Sequence, residues 1–271
     1  MTNLPGTGTP TTLSSLLAVA IEAARAAGEV ALRHLGSASF ELKSDHSIVT
    51  AADRECEAVA RAGLAMTRIP VLGEETATGN AVAGLADLEA AWVVDPIDGT
   101  ASFAAGLPLF GVSIGLLERG KPVLGAFYLP RTDELYAVDR MGQGFYGSRT
   151  IAGCLTPETL DERTFFCATS DAHHRHRVDF PGKVRSLGST ALHVALVARG
   201  AAMGAMLKPA VWDVAAVAPL LERAGGGFFE LDTGAPLDFV KWVQAGGPER
   251  DLLACSPLSL APLRRFVRKK T

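Results

Sequence analysis

Asp95 and Asp98 stand three residues apart in VVDPIDGTAS, at the end of an apolar run and directly ahead of Gly99 and Thr100. Two carboxylates this close repel unless a cation neutralises them, so the pair either keeps its protons to unusually high pH or binds metal. A turn built from Pro96, Gly99 and capping aspartates would account for the segment taken alone. Two further acids in similar settings shift the balance: Glu74 lies in VLGEE and Asp213 in AVWDVAA. Oxygen donors without Cys or His point to Mg2+, a hard ion that keeps several waters and joins carboxylates to substrate phosphate. Phosphoryl transfer is the chemistry that follows, with two or more ions activating a water, steadying the leaving oxygen and neutralising the phosphate. Gly99 lets the backbone pass close to a ligand, and a helix starting there would offer free N–H groups to a phosphate. Phosphatases with an aspartyl nucleophile carry D-x-D-G-T after an apolar strand. Here the acids are three apart instead of two, which takes the second out of the general-acid position.

The elements around these acids follow from apolar periodicity. Residues Leu13 to Leu35 repeat at helical spacing and predict one long amphipathic helix, with Thr12 or Ser14 as its cap. A polar loop then leads into a second helix running to about Met66, with Thr50 as cap and Asp53 in or near its first turn. IPVLGEE and AAWVVDPIDG read as buried strands that deliver acids at their ends, and the Gly- and Pro-punctuated stretch LFGVSIG through GFYG reads as an antiparallel meander. After about Ile151 the pattern alternates: TFFCATS as strand, STALHVALVARG as helix, AAMGAMLK as strand, DVAAVAPLLERAGG as helix, then short strands and a final helix through LAPLRRFVRK. The expected division is an α+β lobe over 1–150, with an antiparallel sheet and most metal ligands, and an α/β lobe over 151–271 that contributes Asp213 and substrate contacts.

Composition narrows the function. The 271 residues include 26 Lys and Arg against 29 Asp and Glu, a formal net charge of -3, so no global field favours a nucleic acid polymer or an anionic membrane. Cys56, Cys154, Cys167 and Cys255 are widely spaced with no C-x-x-C pair, which argues against zinc or a disulfide framework and suits a reducing cytoplasm. No stretch reaches the roughly 20 apolar residues of a membrane span, and the first residues lack a basic-then-apolar leader.

Taken together, GEE at 73–75, WVVDPIDGT at 92–100, VTAAD at 49–53, and WDVAA at 212–216 with AGG at 224–226 resemble the inositol monophosphatase superfamily of magnesium-dependent, lithium-sensitive phosphatases. The resemblance implies a layered α/β/α/β/α sandwich of the inositol monophosphatase and fructose-1,6-bisphosphatase type, assembled as a homodimer. Carried over by position, it makes Glu74, Asp95, the Ile97 carbonyl, Asp98 and Asp213 ligands of two or three Mg2+ per subunit. It makes Asp53 and Thr100, with Glu74, the groups that orient and deprotonate the attacking water. Gly99, Thr100 and Ala101 would receive the phosphate, and Gly188, Ser189 and Thr190 would contribute phosphate or substrate contacts. Glu75 would lie just behind the metal ligands, and Lys43 in a loop that in relatives helps complete one metal site. The implied reaction is attack of a metal-activated water on a phosphate monoester, with no phosphoenzyme.

The substrate is less determined. Inositol-specific relatives commonly carry a ring-binding glutamate seven residues before the last metal aspartate, where this chain has Met206, and an aspartate slightly earlier, where it has Ala202. A methionine cannot accept those hydrogen bonds. SDHSIVTAADRECE and the Ser-Phe pair of DGTASFAAGLPLFG resemble the histidinol-phosphate phosphatase branch, whereas GSTALHVAL is closer to the inositol type. Nucleotidase action on 3′-phosphoadenosine 5′-phosphate, sugar bisphosphatase action, and a catalytically silent protein that binds a phosphorylated metabolite are the alternatives. The silent reading fits poorly, because every ligand and both water-orienting residues are present. Arg185 and HHRH at 173–176 are read first as structure and solvated loop, and second as phosphate contacts. Trp92 and Trp212 are read as packing beside the metal aspartates.

Overall fold

The computed structural model describes residues 15–36, 40–42 and 48–270. Helix α1 (Ser15–His34) buries Leu17, Ala20, Ile21, Ala24, Ala27 and Ala31 along one stripe, the i, i+3, i+4 pattern of an amphipathic helix. The short hairpin β1 (Phe40–Leu42) and β2 (Ile48–Thr50) leads into α2 (Ala51–Leu64), which starts at a Thr50–Asp53 capping box. The caps expected for the first helix lie outside the described residues. Strand β3 (Val71–Gly73), the helical turn α3 (Ala81–Gly84), β4 (Ala91–Asp98) and the short helix α4 (Thr100–Ala104) follow. Then come β5 (Gly111–Glu118), β6 (Lys121–Leu129), β7 (Glu134–Val138), β8 (Gly144–Tyr146) and β9 (Arg149–Thr150). The seven strands β3 to β9 form one sheet in sequence order, antiparallel throughout except for the parallel β3–β4 pair.

The second sheet is mixed. It is built from β10 (Phe165–Ala168), then, past α5 (Ala172–Arg175) and β11 (His176–Val178), from β12 (Lys183–Arg185). Helix α6 (Thr190–Ala198) crosses to β13 (Ala202–Leu207), and α7 (Val211–Ala215) and α8 (Ala218–Arg223) lead to β14 (Gly227–Glu230). After α9 (Phe239–Gln244), β15 (Leu252–Cys255) completes the order β12-β10-β13-β15-β14, and α10 (Pro257–Phe266) and β16 (Val267–Lys269) end the chain.

Three apolar clusters separate five layers. One holds α1 and α2 against the outer face of the seven-stranded sheet, with Trp92, Val94, Ile114 and Leu124 among its members. A second fills the space between the sheets around α6, α7 and α8, and a third lies between the five-stranded sheet and α10. This is the α/β/α/β/α sandwich. Among the described residues no helix is long and apolar enough to cross a membrane.

Two stretches depart from the sequence expectation for tertiary reasons. The final helix stops at Phe266, and residues 267–269 instead pair antiparallel with β11. DVAAVAPLLERAGG breaks into α7 and α8 because its backbone at Ala215–Ala216 lies directly on β5 and β6. A Cβ at Gly115 would come 2.5 Å from Ala215 C, and one at Gly125, its partner in register, would collide with Ala216.

Candidate active site

Asp95 and Asp98 are brought to one face by an irregularity in β4. Successive residues of a strand point to opposite faces, so residues three apart should diverge. Ala91 and Val93 face the middle layer and Trp92 and Val94 face α1 and α2, which puts Asp95 on the middle-layer side. Opposite β5 the register then shifts: Asp95 pairs with Ser113 and Asp98 with Gly111, so β4 carries one extra residue. The bulge falls at Pro96–Ile97, where a residue without an N–H removes no ladder bond. Ile97 packs toward α1 and α2 and Asp98 returns to the side of Asp95.

The other acids arrive from neighbouring elements. Parallel pairing of Gly73 with Val94 and the bond from Glu74 N–H to the Val94 carbonyl (3.0 Å) set Glu74 beside Asp95 in register. Asp213 sits in the first turn of α7, which the glycine-floored contact with β5 presses onto the sheet. The Ser113 hydroxyl donates to the Trp212 carbonyl (3.3 Å), and the Asp213 carboxylate accepts from the Ala210 N–H (2.9 Å). Oxygens of Asp95, Asp98 and Asp213 all lie within 4.8 Å of one another.

Asp98 also caps a helix. Its carboxylate accepts the Ser189 hydroxyl and the N–H groups of Thr190 (2.9 Å) and Ala191 (2.9 Å) at the start of α6. The Ser189 hydroxyl and the Thr190 N–H, both at positions expected to meet phosphate or substrate, are engaged by Asp98. The approach is tight: Gly99 has φ 97° and Gly188 φ 79°, and a Cβ on Gly99 would come 2.9 Å from the Gly188 carbonyl. Only glycine meets both demands at low cost.

Asp53 and Thr100 form a second polar group beside this cluster. One Asp53 oxygen accepts from the N–H (2.8 Å) and hydroxyl (2.6 Å) of Thr50, and the other from the Thr100 hydroxyl (3.2 Å). The same Thr100 hydroxyl lies 3.0 Å from the Ile97 carbonyl. A hydroxyl has one proton, so it can donate to only one of these acceptors at a time.

Electrostatics set the carboxylates apart. Burial, then the charges of Glu74, Asp98 and Asp213, hold Asp95 well above the usual carboxylate range. Asp213 is raised in the same way by burial, Asp98 and Glu74. Burial pushes Asp98 up to about 6 against the opposing pull of its Ser189, Thr190 and Ala191 donors. Burial also raises Asp53, opposed by its bonds from Thr50 and Thr100. The strongest charges acting on Asp95, those of Glu74, Asp98, Asp213 and Asp53, are all carboxylates. A donor set of oxygens alone, crowded and mutually repelling, fits a hard divalent cation such as Mg2+.

The remaining expected residues are dispersed. Ile97 contributes its carbonyl near Thr100, Ala101 is exposed on α4, and Lys43 lies outside the described residues. The Glu75 N–H donates to Glu57 (2.7 Å). Arg185 is exposed and stacks over Phe165, 5.2 Å from the ring centroid. The segment 173–176 is not a plain loop. His173 and His174 lie exposed on α5 with rings 3.9 Å apart, while His176 is buried in β11 with Asp251 3.5 Å away. Met206 is buried in the outer cluster with Phe166, Phe229 and Leu253. Trp92 is fully buried and donates to the Thr67 hydroxyl (3.0 Å).

Two residues passed unnoticed in the sequence. Glu57 grips the loop that carries Glu74, and buried His193 accepts the Leu187 N–H (3.0 Å) just ahead of Gly188. The first had a legible signal, since Asp53, Glu57 and Arg61 recur every fourth residue on one face of α2. The second had none, because a histidine in an apolar helix is usually packing.

A sequence model of the Inositol monophosphatase family matches residues 12–259. Inositol-1-monophosphatase of Mesorhizobium japonicum is 35% identical over 237 residues, covering 82% of this chain and 87% of that protein. Histidinol-phosphatase of Chlorobaculum parvum is 34% identical over 230 residues, covering 79% and 85%. Among solved structures, extragenic suppressor protein suhB from Bartonella henselae superposes with a TM-score of 0.76 at 26% identity, over 93% of this chain and 98% of that one.

Proposed function

The chain belongs to the inositol monophosphatase family, and from that premise we propose that it is an Mg2+-dependent phosphatase of a small phosphate monoester, inositol phosphate or histidinol phosphate. The observation that carries the reading is the convergence of Asp95, Asp98 and Asp213, from a strand bulge and a separate helix, to within 4.8 Å. Glu74, Asp95, Asp98, Asp213 and the Ile97 carbonyl would hold two or three ions. When bound, the cations supply Lewis acidity, lower the pKa of water and neutralise charge on the phosphate and the leaving oxygen.

The protein's own groups do the rest. Asp53 has one oxygen locked by Thr50 and presents the other to Thr100, so the Thr100 proton can pass to Asp53 while the Thr100 oxygen takes one from the attacking water. Burial raises Asp53 and makes it a better proton acceptor than an exposed aspartate. The N–H groups of Gly99 to Ala101 lie next in sequence to receive phosphate oxygens. Ser189 and Thr190 hold the Asp98 carboxylate in the cluster, and Gly188 gives the close approach to Gly99 beside them. Glu75 ties its loop to Glu57 through its N–H, and Arg185 at the end of β12 stacks on Phe165. A homodimer in the cytoplasm, inhibited by lithium, completes the proposal.

Identities of 35% and 34% to an inositol and a histidinol phosphatase do not separate the two substrates. A panel of inositol 1-phosphate, histidinol phosphate, 3′-phosphoadenosine 5′-phosphate and fructose 1,6-bisphosphate, assayed with Mg2+ and with chelator, tests the reading. We expect Mg2+-dependent release of phosphate from one of the first two, and Asp213→Asn to reduce it by about 10²–10³-fold, the scale of losing one preorganised electrostatic partner. Full activity of Asp213→Asn, or turnover undiminished by chelation, would refute it.

A further inference from the structure

Glu57 lies one helical turn after Asp53 in α2 and is 2% exposed. A buried carboxylate must be paired, and the bland reading is an i,i+4 ion pair with Arg61, whose Nε lies 3.0 Å away. The other partners do not fit that reading, because they belong to the loop after β3. The Glu75 N–H (2.7 Å) and the Thr76 hydroxyl (2.6 Å) both donate to Glu57. Arg61 donates in turn to the Thr76 hydroxyl, so the loop is held from both members of the pair. Gly73 completes the clasp, since a Cβ there would land on the Glu57 carboxylate.

This matters because β3 is three residues long and lies at the edge of its sheet. Glu74 stands between Gly73, which packs on the Glu57 carboxylate, and Glu75, whose N–H bonds to it. The last sheet bond runs from the Glu74 N–H to the Val94 carbonyl, and the loop beyond it leaves the sheet toward Glu57. The same face of α2 holds Asp53 one turn earlier, so one rigid helix sets both the Asp53–Thr100 pair and the Glu74 loop.

Building on the functional reading above, we propose that Glu57 is a positioning residue that sets the affinity of the carboxylate centre for its divalent cation by fixing the Gly73–Thr76 loop around Glu74. Glu57→Gln keeps the shape but turns an NH2 toward either the Glu75 N–H or the Thr76 and Arg61 donors, so one anchor is lost in either orientation. Partners that orient metal ligands typically cost about 10–100-fold in affinity when removed.

The test is a Mn2+ titration of the full chain read by the EPR signal of free Mn2+, with Mg2+ competition and kcat at saturating Mg2+ measured alongside. Glu57→Gln should weaken Mn2+ binding about 10–100-fold while kcat at saturating metal stays within about threefold of wild type. Gly73→Ala should weaken binding alone yet add nothing in a Glu57→Ala background, where the clash is gone. Thr76→Val, a milder change, should give a smaller loss in the same direction and serves if the Glu57 variants do not fold. Folded Glu57→Gln, Gly73→Ala and Thr76→Val proteins that bind Mn2+ as wild type does would overturn the proposal, with the functional reading intact if Asp95→Asn still loses the ion. A wild-type chain that binds no Mn2+ would defeat both.

Discussion

Two buried acidic groups lie on either side of β3 and have opposite electrical designs. Glu57 is matched at every oxygen, by Arg61, the Thr76 hydroxyl and the Glu75 N–H. Asp95, by contrast, accepts one bond among the described residues, from the Ile97 N–H (3.1 Å), and faces the charges of Glu74, Asp98 and Asp213. The same residue chemistry is complete in one place and incomplete in the other. A satisfied buried carboxylate holds neighbouring structure in place, whereas a cluster that repels itself stores free energy that a cation can release.

The largest test of that contrast is the response of each group to neutralisation. With Mg2+, Asp95→Asn should lower kcat/KM by about 10²–10³-fold. With chelator at pH 8, the same variant should melt above wild type, by about 2–4 °C for each kcal/mol of repulsion relieved, whereas Glu57→Gln should melt below it. Equal shifts in both would show that the two groups are electrically alike.

A smaller effect sharpens the comparison at α6. His193 is buried, its Nε2 accepts the Leu187 N–H, and burial pushes its pKa from 6.5 down to about 4. The unfolded chain therefore binds a proton that the native one refuses. Stability from the neutral imidazole is present above about pH 6.5 and is lost as pH falls toward about 4, up to about 3 kcal/mol in all. His193→Gln, whose side-chain oxygen can take the Leu187 N–H, should flatten that acid limb in urea unfolding at pH 7.5, 5.5 and 4.5. An unchanged limb would place the titration elsewhere. The smallest expectation is Arg185→Ala, which removes an exposed guanidinium stacked on Phe165 and should leave KM within about twofold, as for surface changes away from special features.

Much of the site was legible because its signals are local. Thr50 and Asp53 form a capping box three residues apart, and such a pair meets in any helix that starts there. VVDPIDGT and WDVAA announce acids at element ends by type and spacing. The two long helices and the meander follow from periodicity. What was hidden depends on partners far along the chain. Asp98 shares a face with Asp95 only because pairing with Gly111 and Ser113 forces a bulge. The bonds from the Ser189 hydroxyl and the Thr190 N–H to Asp98 span more than ninety residues of sequence. Residues 267–269 read as helix and became strand because β11 offered them a partner.

The sequence by itself determined the chemistry of this protein: which carboxylates it owns, the helix that presents Asp53, and the family whose motifs it carries. Side-chain identity and short-range hydrogen bonding suffice for those. Only the tertiary structure decided which acids are balanced by donors and which are crowded against other carboxylates. That depends on burial and on contacts between distant segments, and neither is encoded in any one stretch of chain.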